Sequence, residues 1–521
     1  MSAAPASVAS LSRQGAAPPI EPDFAVFSRA YEEGVPQVAW TRLVADLETP
    51  VSAMLKLAHE RPNSFLLESV EGGANRGRYS IIGCEPDLIW RANGARAEIN
   101  RAPQSDPQGF APSPLPALAS LRALLAESAI ALPPELPPMA AGIFGYMGYD
   151  TVRLIEHLPS DKRDPLALPH SILVRPTLIV IFDAVKDEMT VVTPVRPAPG
   201  VSAKAAYARA ADRLNLAIER LEQPLPHASE ADVTAPHPEP KAGTLPEAYM
   251  AKVDRAKEYI AAGDIFQVVL SQRFEAPFTL PSFALYRALR RVNPSPFLYY
   301  LNFGEFAVVG SSPEILVRVR DGKVTIRPIA GTRPRGATPE QDKVLAKELL
   351  HDAKERAEHL MLLDLGRNDV GRVAEVGSVR VTDSFFLEYY SQVMHIVSNV
   401  EGKLAADHDA VDALMAGFPA GTVSGAPKVR AMEIIDELED EARGIYAGCV
   451  GYFSADGNMD SCIVLRTSVV KDGVMYVQAG AGVVADSVPE REQAECVSKA
   501  RALFKAADEA VRFASRAKRG Q

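Results

Sequence analysis

A proline-dense segment divides this chain of 521 residues into two parts. Five prolines lie between Gln223 and Lys241, among small and acidic residues. Because proline has no backbone N–H and clashes with the preceding helical turn, no packed helix or strand tolerates this density. The chain is also too long for one simple core. We therefore predict an N-terminal regulatory or structural domain over residues 1–222, a linker over residues 223–243 and a second domain over residues 244–521.

Short apolar or alternating runs on both sides of the linker predict β-strands, for example Ile172 to Phe182 and Cys462 to Val470. Helices are predicted from Ala203 to Leu221 and from about Glu340 to Leu363. The strands cluster in groups, without the regular strand–helix alternation of a doubly wound parallel sheet. The pattern therefore predicts an α+β fold.

Charge and composition limit the partners of the chain. The net charge of −10 argues against nucleic acid or an anionic membrane as the main partner. No stretch approaches the roughly 18 apolar residues of a membrane span, and the first residues lack the apolar core of a signal peptide. The four cysteines form no CxxC pair, which favours reduced thiols. We expect a cytoplasmic protein that binds neither nucleic acid nor membranes.

Two pairs of glutamates lie at helical spacing. Glu355 and Glu358 are three residues apart in one predicted helix, and Glu492 and Glu495 are three apart in another. This spacing puts each pair on one helix face. Two solvated acidic faces would give the same pattern. If the two faces meet, however, they form a site of hard oxygen ligands that suits Mg²⁺.

Other residues indicate sites for anions and for proton transfer. Arg466 lies in an apolar predicted strand, where a cation is costly unless it is paired, and a carboxylate is its natural partner. The segment Gln478 to Gly482 either forms a glycine bulge or lets backbone amides approach an anion. Lys499 either pairs with Glu495 or faces a substrate carboxylate. His395 is a core residue or a group for proton transfer.

Six short segments in this order carry a family resemblance. They are Pro328 to Thr332, Glu355 to His359, Leu363 to Asp369, Gln392 to His395, Gly421 to Lys428 and Glu492 to Glu495. The set closely resembles the chorismate-utilising enzymes. The resemblance covers essentially the whole chain and is densest from Thr244 to Phe513. It implies a large mixed fold of antiparallel sheets flanked by helices.

The resemblance also implies roles for these residues. Glu358 and Glu495 lie closest to a magnesium ion in the family, with Glu355 and Glu492 as further ligands or neighbours. His395 matches the family's active-site histidine, and Glu314 matches the acid that protonates the departing ring hydroxyl, which requires a raised pKa. The residues that match the chorismate pocket are Gly331, Thr332, Tyr446, Arg466, Gly480, Ala481, Gly482 and, if it faces substrate, Lys499.

Two positions separate the branches of the family. Some members carry a nucleophilic lysine where this chain has Ala330, and others carry a water-activating lysine where it has the predicted catalytic residue Gln267. With neither lysine, the resemblance implies direct attack by ammonia, giving anthranilate and pyruvate from chorismate. The chain shows no glutaminase motif, so a separate glutamine amidotransferase subunit is implied. An enzyme that stops at the aminated intermediate and a tryptophan-binding regulatory pseudo-enzyme are the alternatives.

A feedback site is implied near the N-terminus. Leu66 to Ser69 matches the segment of the family that binds the inhibitor tryptophan, with Ser69 as its polar residue. The partner segment contains Pro296, Phe297 and Leu298, where family members often have Pro-Tyr-Met. This difference leaves the strength of inhibition open.

Overall fold

The computed structural model describes residues 18–58, 61–69, 77–159, 162–226, 239–390 and 393–516. Within these ranges the helices are α1 Phe24–Glu32, α2 Pro50–Ala58, α3 Ala117–Ser128, α4 Ala203–Glu222, α5 Pro246–Ala261, α6 Ser282–Val292, α7 Pro339–His351, α8 Ala353–Gly371, α9 Ala410–Gly417, α10 Lys428–Leu438 and α11 Pro489–Arg516. Short 3₁₀ helices span Pro138–Ala140, Tyr149–Leu154 and Gly421–Val423.

The strands of the described ranges are β1 Gln37–Val44, β2 Ser64–Ser69, β3 Tyr79–Asn93, β4 Arg96–Asn100, β5 Phe110–Pro112, β6 Gly142–Met147, β7 Ser171–Asp183, β8 Glu188–Val195, β9 Lys241–Ala242, β10 Gln267–Pro277 and β11 Phe297–Asn302. They continue with β12 Phe306–Ser312, β13 Ile315–Arg320, β14 Lys323–Ile326, β15 Ile329–Pro334, β16 Arg380–Tyr389, β17 Val393–Lys403, β18 Gly425–Ala426, β19 Cys449–Ser454, β20 Met459–Ile463, β21 Thr467–Lys471 and β22 Val474–Val483.

The strands form one hydrogen-bonded system, and every strand pairing within the described ranges is antiparallel. Helices flank the sheets, which confirms the predicted α+β class with antiparallel sheets. No helix of the described residues is long and apolar enough to cross a membrane.

Strands on the two sides of the predicted linker pair with each other. Strand β2 pairs with β11, and β6 pairs with β19. The ring of Phe144 stacks on Phe65, with centroids 4.7 Å apart, and contacts the tilted ring of Tyr452 across this junction, with centroids 5.3 Å apart. The division into two domains therefore stays a prediction. Residues 227–238 of the linker lie outside the described residues, and Lys241–Ala242 pairs with β10.

The long helix predicted from Glu340 to Leu363 is two helices. It breaks at Asp352, whose side chain accepts hydrogen bonds from the backbone N–H groups of Lys354 and Glu355, at 3.0 and 3.2 Å. Such an N-cap starts a new helix because it satisfies amide groups that have no partner in the first turn. Helix α8 therefore begins immediately before Glu355 and packs on β15 and β17.

Candidate active site

A cavity of about 580 Å³ lies where α8 and α11 meet strands β10, β15, β17 and β22. It brings together nearly all the predicted metal, catalytic and substrate residues. Those that line it are Gln267, Glu314, Gly331, Thr332, Glu355, Glu358, His395, Tyr446, Arg466, Gly480, Gly482, Glu492, Glu495 and Lys499. Ala481 does not line it and is fully buried.

One side of the cavity is acidic. Glu358 is partly buried, and its pKa is raised first by burial and then by the neighbouring Glu355 and Glu495. The pKa of Glu492 is raised in the same way, by burial and by Glu495. Carboxylates raise each other's pKa when they are close, because each disfavours a second negative charge. The two helix faces therefore meet, which the spacing of the glutamates allowed and the family resemblance implied.

The acidic side chains do not form a ready-made metal cage. Within the described residues, no group of three or more His, Cys, Asp or Glu is placed to hold a metal ion. Glu355 forms an ion pair with Arg333 at 3.0 Å, and Glu495 forms one with Lys499 at 2.8 Å. Mg²⁺ commonly uses only one or two carboxylates, with waters and substrate oxygens as the other ligands. The excess negative charge on Glu358 and Glu492 fits a divalent cation of this kind.

Lys499 makes the ion pair that helical spacing allowed. Its ammonium group lies 2.8 Å from Glu495 and donates a second hydrogen bond, also of 2.8 Å, to the carbonyl oxygen of Gly480. All three residues line the cavity. Lys499 therefore links α11 to β22 at the acidic side.

His395 lies on β17 beside Thr332 of β15. Its Nδ1 is 3.0 Å from the Thr332 hydroxyl, which can donate or accept, and 3.1 Å from the carbonyl oxygen of Gly331, which can only accept, so we assign the proton to Nδ1. Its Nε2 is buried and has no hydrogen-bond partner among the described residues. Burial lowers the pKa of His395 to about 4, so the ring is neutral at pH 7 with a free lone pair on Nε2.

Glu314 is a buried carboxyl group immediately before β13. Burial raises its pKa to about 8, although the Thr422 hydroxyl, the backbone N–H of Ile329 and the charge of Arg466 oppose the shift. A carboxyl group with this pKa holds its proton at neutral pH, as a general acid must. Thr422 was not among the residues selected from the sequence, and its place in the Gly421–Lys428 motif was the available signal.

Arg466 interrupts the strand that the sequence predicted from Cys462 to Val470. The structure has β20 ending at Ile463 and β21 starting at Thr467, with Arg466 at φ +49° between them. Such a left-handed backbone does not fit a strand. The guanidinium lines the cavity and forms no salt bridge within the described residues. Burial lowers its pKa, with Tyr390 and Glu314 opposing, so a bound anion would be its natural partner.

The backbone conformation and the close neighbours at position 331 require a glycine. Its φ is +74°, and a Cβ atom there would come within 3.1 Å of Glu355 Oε2 and 3.2 Å of Leu349. A side chain would therefore strain the backbone and crowd the acidic side of the cavity.

A second cavity of about 460 Å³ lies between β2, β11 and β20. Ser69, Phe297 and Leu298 line it, whereas Pro296 does not. The hydroxyl of Ser69 donates a hydrogen bond to the carbonyl oxygen of Tyr79, at 3.1 Å. Sequence reasoning missed several lining residues because they lie on distant strands: Arg78, Tyr79, Met139, Arg318, Arg320, Tyr452, Asp460 and Cys462.

Known proteins match this chain over most of its length. The model of the chorismate binding enzyme family matches residues 66–505. A protein of Cereibacter sphaeroides named anthranilate synthase component 1 is 58% identical over 497 residues, which cover 95% of this chain and 99% of that protein. A protein of the same name from Thermus thermophilus is 50% identical over 474 residues, covering 89% of this chain and 96% of that protein.

Solved structures agree with these matches. The crystal structure of anthranilate synthase component I from Streptococcus pneumoniae has a TM-score of 0.72 and 38% identity, and the match covers 82% of this chain and 92% of that one. The isochorismate synthase MenF of Escherichia coli has a TM-score of 0.67 at 20% identity, covering 93% of this chain and 98% of that one, and shows the shared fold alone.

Proposed function

The chain belongs to the family of chorismate-binding enzymes, and within it we propose that this protein is the large component of an anthranilate synthase. It converts chorismate and ammonia to anthranilate, pyruvate and water. The observation that carries the proposal is one cavity with an acidic side and, elsewhere in its lining, the cation of Arg466, which forms no salt bridge with the described residues. Neither Ala330 nor Gln267 supplies the lysine that would direct the ring to another nucleophile.

Chorismate has two carboxylates, and the cavity offers two kinds of partner for them. Arg466 and the backbone amides around Gly480 to Gly482 take one carboxylate. The other lies at the acidic side with Mg²⁺, which Glu358 and Glu495 would hold with help from Glu355 and Glu492. When bound, the ion supplies positive charge that lets an anionic substrate approach four carboxylates.

Glu314 supports the first step as the proton donor. Ammonia forms a bond to C2 of the ring, the double bonds shift, and the C4 hydroxyl leaves as water with the proton of Glu314. Because the pKa of Glu314 is about 8, the proton is present at neutral pH. A carboxyl group with an ordinary pKa would be almost fully ionised there and could not donate.

His395 supports the second step as the proton acceptor. Its free Nε2 takes the proton from C2, the bond from C3 to the enolpyruvyl oxygen breaks, and pyruvate leaves as the ring becomes aromatic. The hydrogen bond from Nδ1 to the Gly331 carbonyl fixes the orientation of the ring, and His395 lines the cavity. The neutral state of His395 at pH 7 makes it ready to accept.

A separate glutamine amidotransferase supplies ammonia in this proposal. The relatives carry the name component 1, which implies a second component. All four cysteines are buried, and burial raises the pKa of Cys84 and Cys449 to about 12 and of Cys496 to about 11. Thiols of this kind are poor nucleophiles for glutamine hydrolysis. The cytoplasmic location expected from the sequence stays a prediction.

Tryptophan as feedback inhibitor is proposed to bind the second cavity. The cavity is mainly apolar on one side, with Phe297, Leu298 and Met139, and carries polar groups at Ser69 and the arginines of β13. These groups suit an indole ring joined to an ammonium and a carboxylate.

The test is anthranilate fluorescence from chorismate, Mg²⁺ and ammonium, with the products also separated by HPLC. We expect anthranilate and pyruvate in equal amounts. Accumulation of the aminated, non-aromatic intermediate would favour an enzyme that stops before pyruvate loss. No turnover of chorismate at all, with tryptophan still bound, would favour the regulatory pseudo-enzyme.

A further inference from the structure

A buried ion pair lies directly behind the substrate cavity. Glu439 follows the end of α10, and Arg443 lies four residues later. The side chain of Arg443 is 1% exposed and that of Glu439 is 6% exposed. Their contact is bidentate, with Nη2 2.6 Å from Oε1 and Nε 2.9 Å from Oε2. Neither residue lines the cavity, and the proposed reaction does not use them.

Arg443 binds two walls of the cavity through their backbone. Its Nη1 donates to the carbonyl oxygen of Val423 and its Nη2 to that of Val269, both at 2.7 Å. Val423 follows Thr422, whose hydroxyl donates to Glu314. Val269 lies on β10, two residues after Gln267. The guanidinium therefore fixes both the segment that carries Thr422 and the strand that carries Gln267.

Glu439 binds Ser271 on β10, the strand that also carries Val269. Its Oε1 accepts hydrogen bonds from the backbone N–H and the hydroxyl of Ser271, at 2.7 and 2.9 Å. The Ser271 hydroxyl in turn accepts from Gln478, which lines the cavity, at 2.8 Å. The pair thereby also restrains β22 at the start of its glycine segment.

The guanidinium also contacts the ring of a predicted substrate residue. Its Cζ lies 5.5 Å from the ring centroid of Tyr446 and 4.8 Å from that of Tyr149. Tyr446 lines the cavity, and its backbone N–H donates to the carbonyl oxygen of Arg443, at 3.1 Å. One side chain therefore holds the ring and two backbone segments at once.

We propose that Glu439 and Arg443 are positioning residues. They set the distances between the parts of the cavity wall that carry Thr422, Gln267 and Tyr446, and so the affinity for chorismate. The inference rests on the proposed function, since chorismate is its substrate. A buried charge pair offsets its desolvation only when its geometry is good and further hydrogen bonds satisfy both groups, as they do here. Only the planar fork of arginine reaches two carbonyls and both carboxylate oxygens together, so lysine cannot replace it.

The experiment uses the full chain and two single variants, Arg443→Lys and Glu439→Gln. Calorimetry with Mg²⁺ and without ammonium measures the Kd of chorismate, and thermal unfolding followed by circular dichroism measures folding. We expect folded variants whose Kd for chorismate rises and whose kcat/KM falls about 10- to 100-fold, because small misplacements of binding groups have effects of this size.

Arg175→Lys is the matched control. Arg175 is 8% exposed and makes a bidentate pair with Asp87, at 2.8 and 3.1 Å, away from the residues that line the cavity. We expect its Kd for chorismate to stay within about twofold of the parent value, because it tests the loss of a guanidinium fork alone.

The outcomes separate this proposal from the proposed function. Unchanged chorismate affinity in the folded variants, or an equal loss in Arg175→Lys, would overturn the positioning role. If Arg443→Lys does not fold, Glu439→Gln decides, and failure of both to fold would assign the pair to stability alone and also overturn it. If the parent chain itself does not bind chorismate, the proposed function fails instead.

Discussion

The hydroxyl of Thr422 donates a hydrogen bond to the buried carboxyl group of Glu314, at 3.2 Å from Oε2 and 3.3 Å from Oε1. A donor to both oxygens stabilises the ionised form, so it opposes the large rise in pKa that burial causes. Burial on one side, and Thr422, the backbone N–H of Ile329 and the charge of Arg466 on the other, thus set the proton affinity of the proposed acid. Their balance leaves its pKa at about 8, close to the working pH of a cell.

Removing the Thr422 hydroxyl should move the pH dependence of turnover. Without the donor the pKa of Glu314 rises further, so the loss of activity at high pH should shift upward by roughly half to one pH unit. The comparison is Thr422→Val against Thr422→Ser, which keeps the hydroxyl, measured at constant free ammonia. An alkaline limb at the same pH in both variants would contradict the contact's role.

The stability of the protein should also depend on the protonation of Glu314. Since burial raises the pKa of Glu314 from 4.5 to about 8, the folded state keeps a proton that the unfolded state loses between these pH values. The parent's free energy of unfolding therefore falls as pH rises through this window, by at most about 1.4 kcal/mol per pH unit. The Glu314→Gln variant has no titratable group at this position, so its free energy of unfolding should not fall for this reason.

Urea denaturation at pH 5 and pH 7.5 measures the effect. The stability of Glu314→Gln relative to the parent should increase by up to about 3 kcal/mol between these two pH values. A relative stability that is the same at both would mean that Glu314 is already ionised in the folded protein.

Replacing a proposed magnesium ligand should abolish metal-dependent turnover. Glu358→Gln and Glu495→Gln each remove a charge from the acidic side of the cavity while keeping the side-chain shape. We expect no activity up to high Mg²⁺ and an unchanged thermal midpoint. Glu490→Gln is the control, since Glu490 is an exposed acid in the first turn of α11 that does not line the cavity. Near-normal activity of either ligand variant at low Mg²⁺ would reject the assignment.

The purified chain should use ammonium but not glutamine. At constant total ammonium, turnover should rise with pH as NH₃ replaces NH₄⁺, and then fall as Glu314 loses its proton near pH 8. The two effects together give a bell-shaped dependence of turnover on pH. Anthranilate fluorescence across pH 6 to 10 measures it. Glutamine-dependent turnover by this chain alone would refute the need for a second subunit.

Ser69→Ala should weaken inhibition by tryptophan without changing uninhibited turnover. Loss of one hydrogen bond to a charged group costs about 1.5–3 kcal/mol, or roughly ten- to a hundred-fold in affinity. Ser64→Ala is the control, because Ser64 lies on the same strand and donates to the Arg61 carbonyl, at 2.8 Å, outside the cavity. An inhibition constant within twofold of the parent would mean that Ser69 only ends a strand.

Sequence patterns predicted the local features of the site because these depend on short spacing. Glu355 and Glu358 share a helix face whatever surrounds that helix. That this face meets Glu492 and Glu495, more than a hundred residues later, follows from the packing of α8 and α11 around the sheets. Only the family resemblance indicated that meeting, since spacing alone also fits two solvated faces.

Other features could not be read from the pattern. The apolar run through Arg466 predicts a continuous strand, and only the backbone shows its left-handed residue. Glu439 and Arg443 have the spacing of an ordinary surface ion pair on a helix. Their burial depends on Tyr149 and β10, which lie far away in the sequence. Both the backbone at Arg466 and the burial of Glu439 and Arg443 thus depend on contacts between residues that are distant in sequence.

The pairing of β2 with β11 and of β6 with β19 has a consequence for dividing the gene. A cut between residues 226 and 239 would leave two fragments, each with strand edges and aromatic surface that the other fragment covers in the intact chain. Open edges of this kind promote aggregation. We therefore expect the fragments to fold only when they are made together, so this boundary would suit a split-protein complementation reporter.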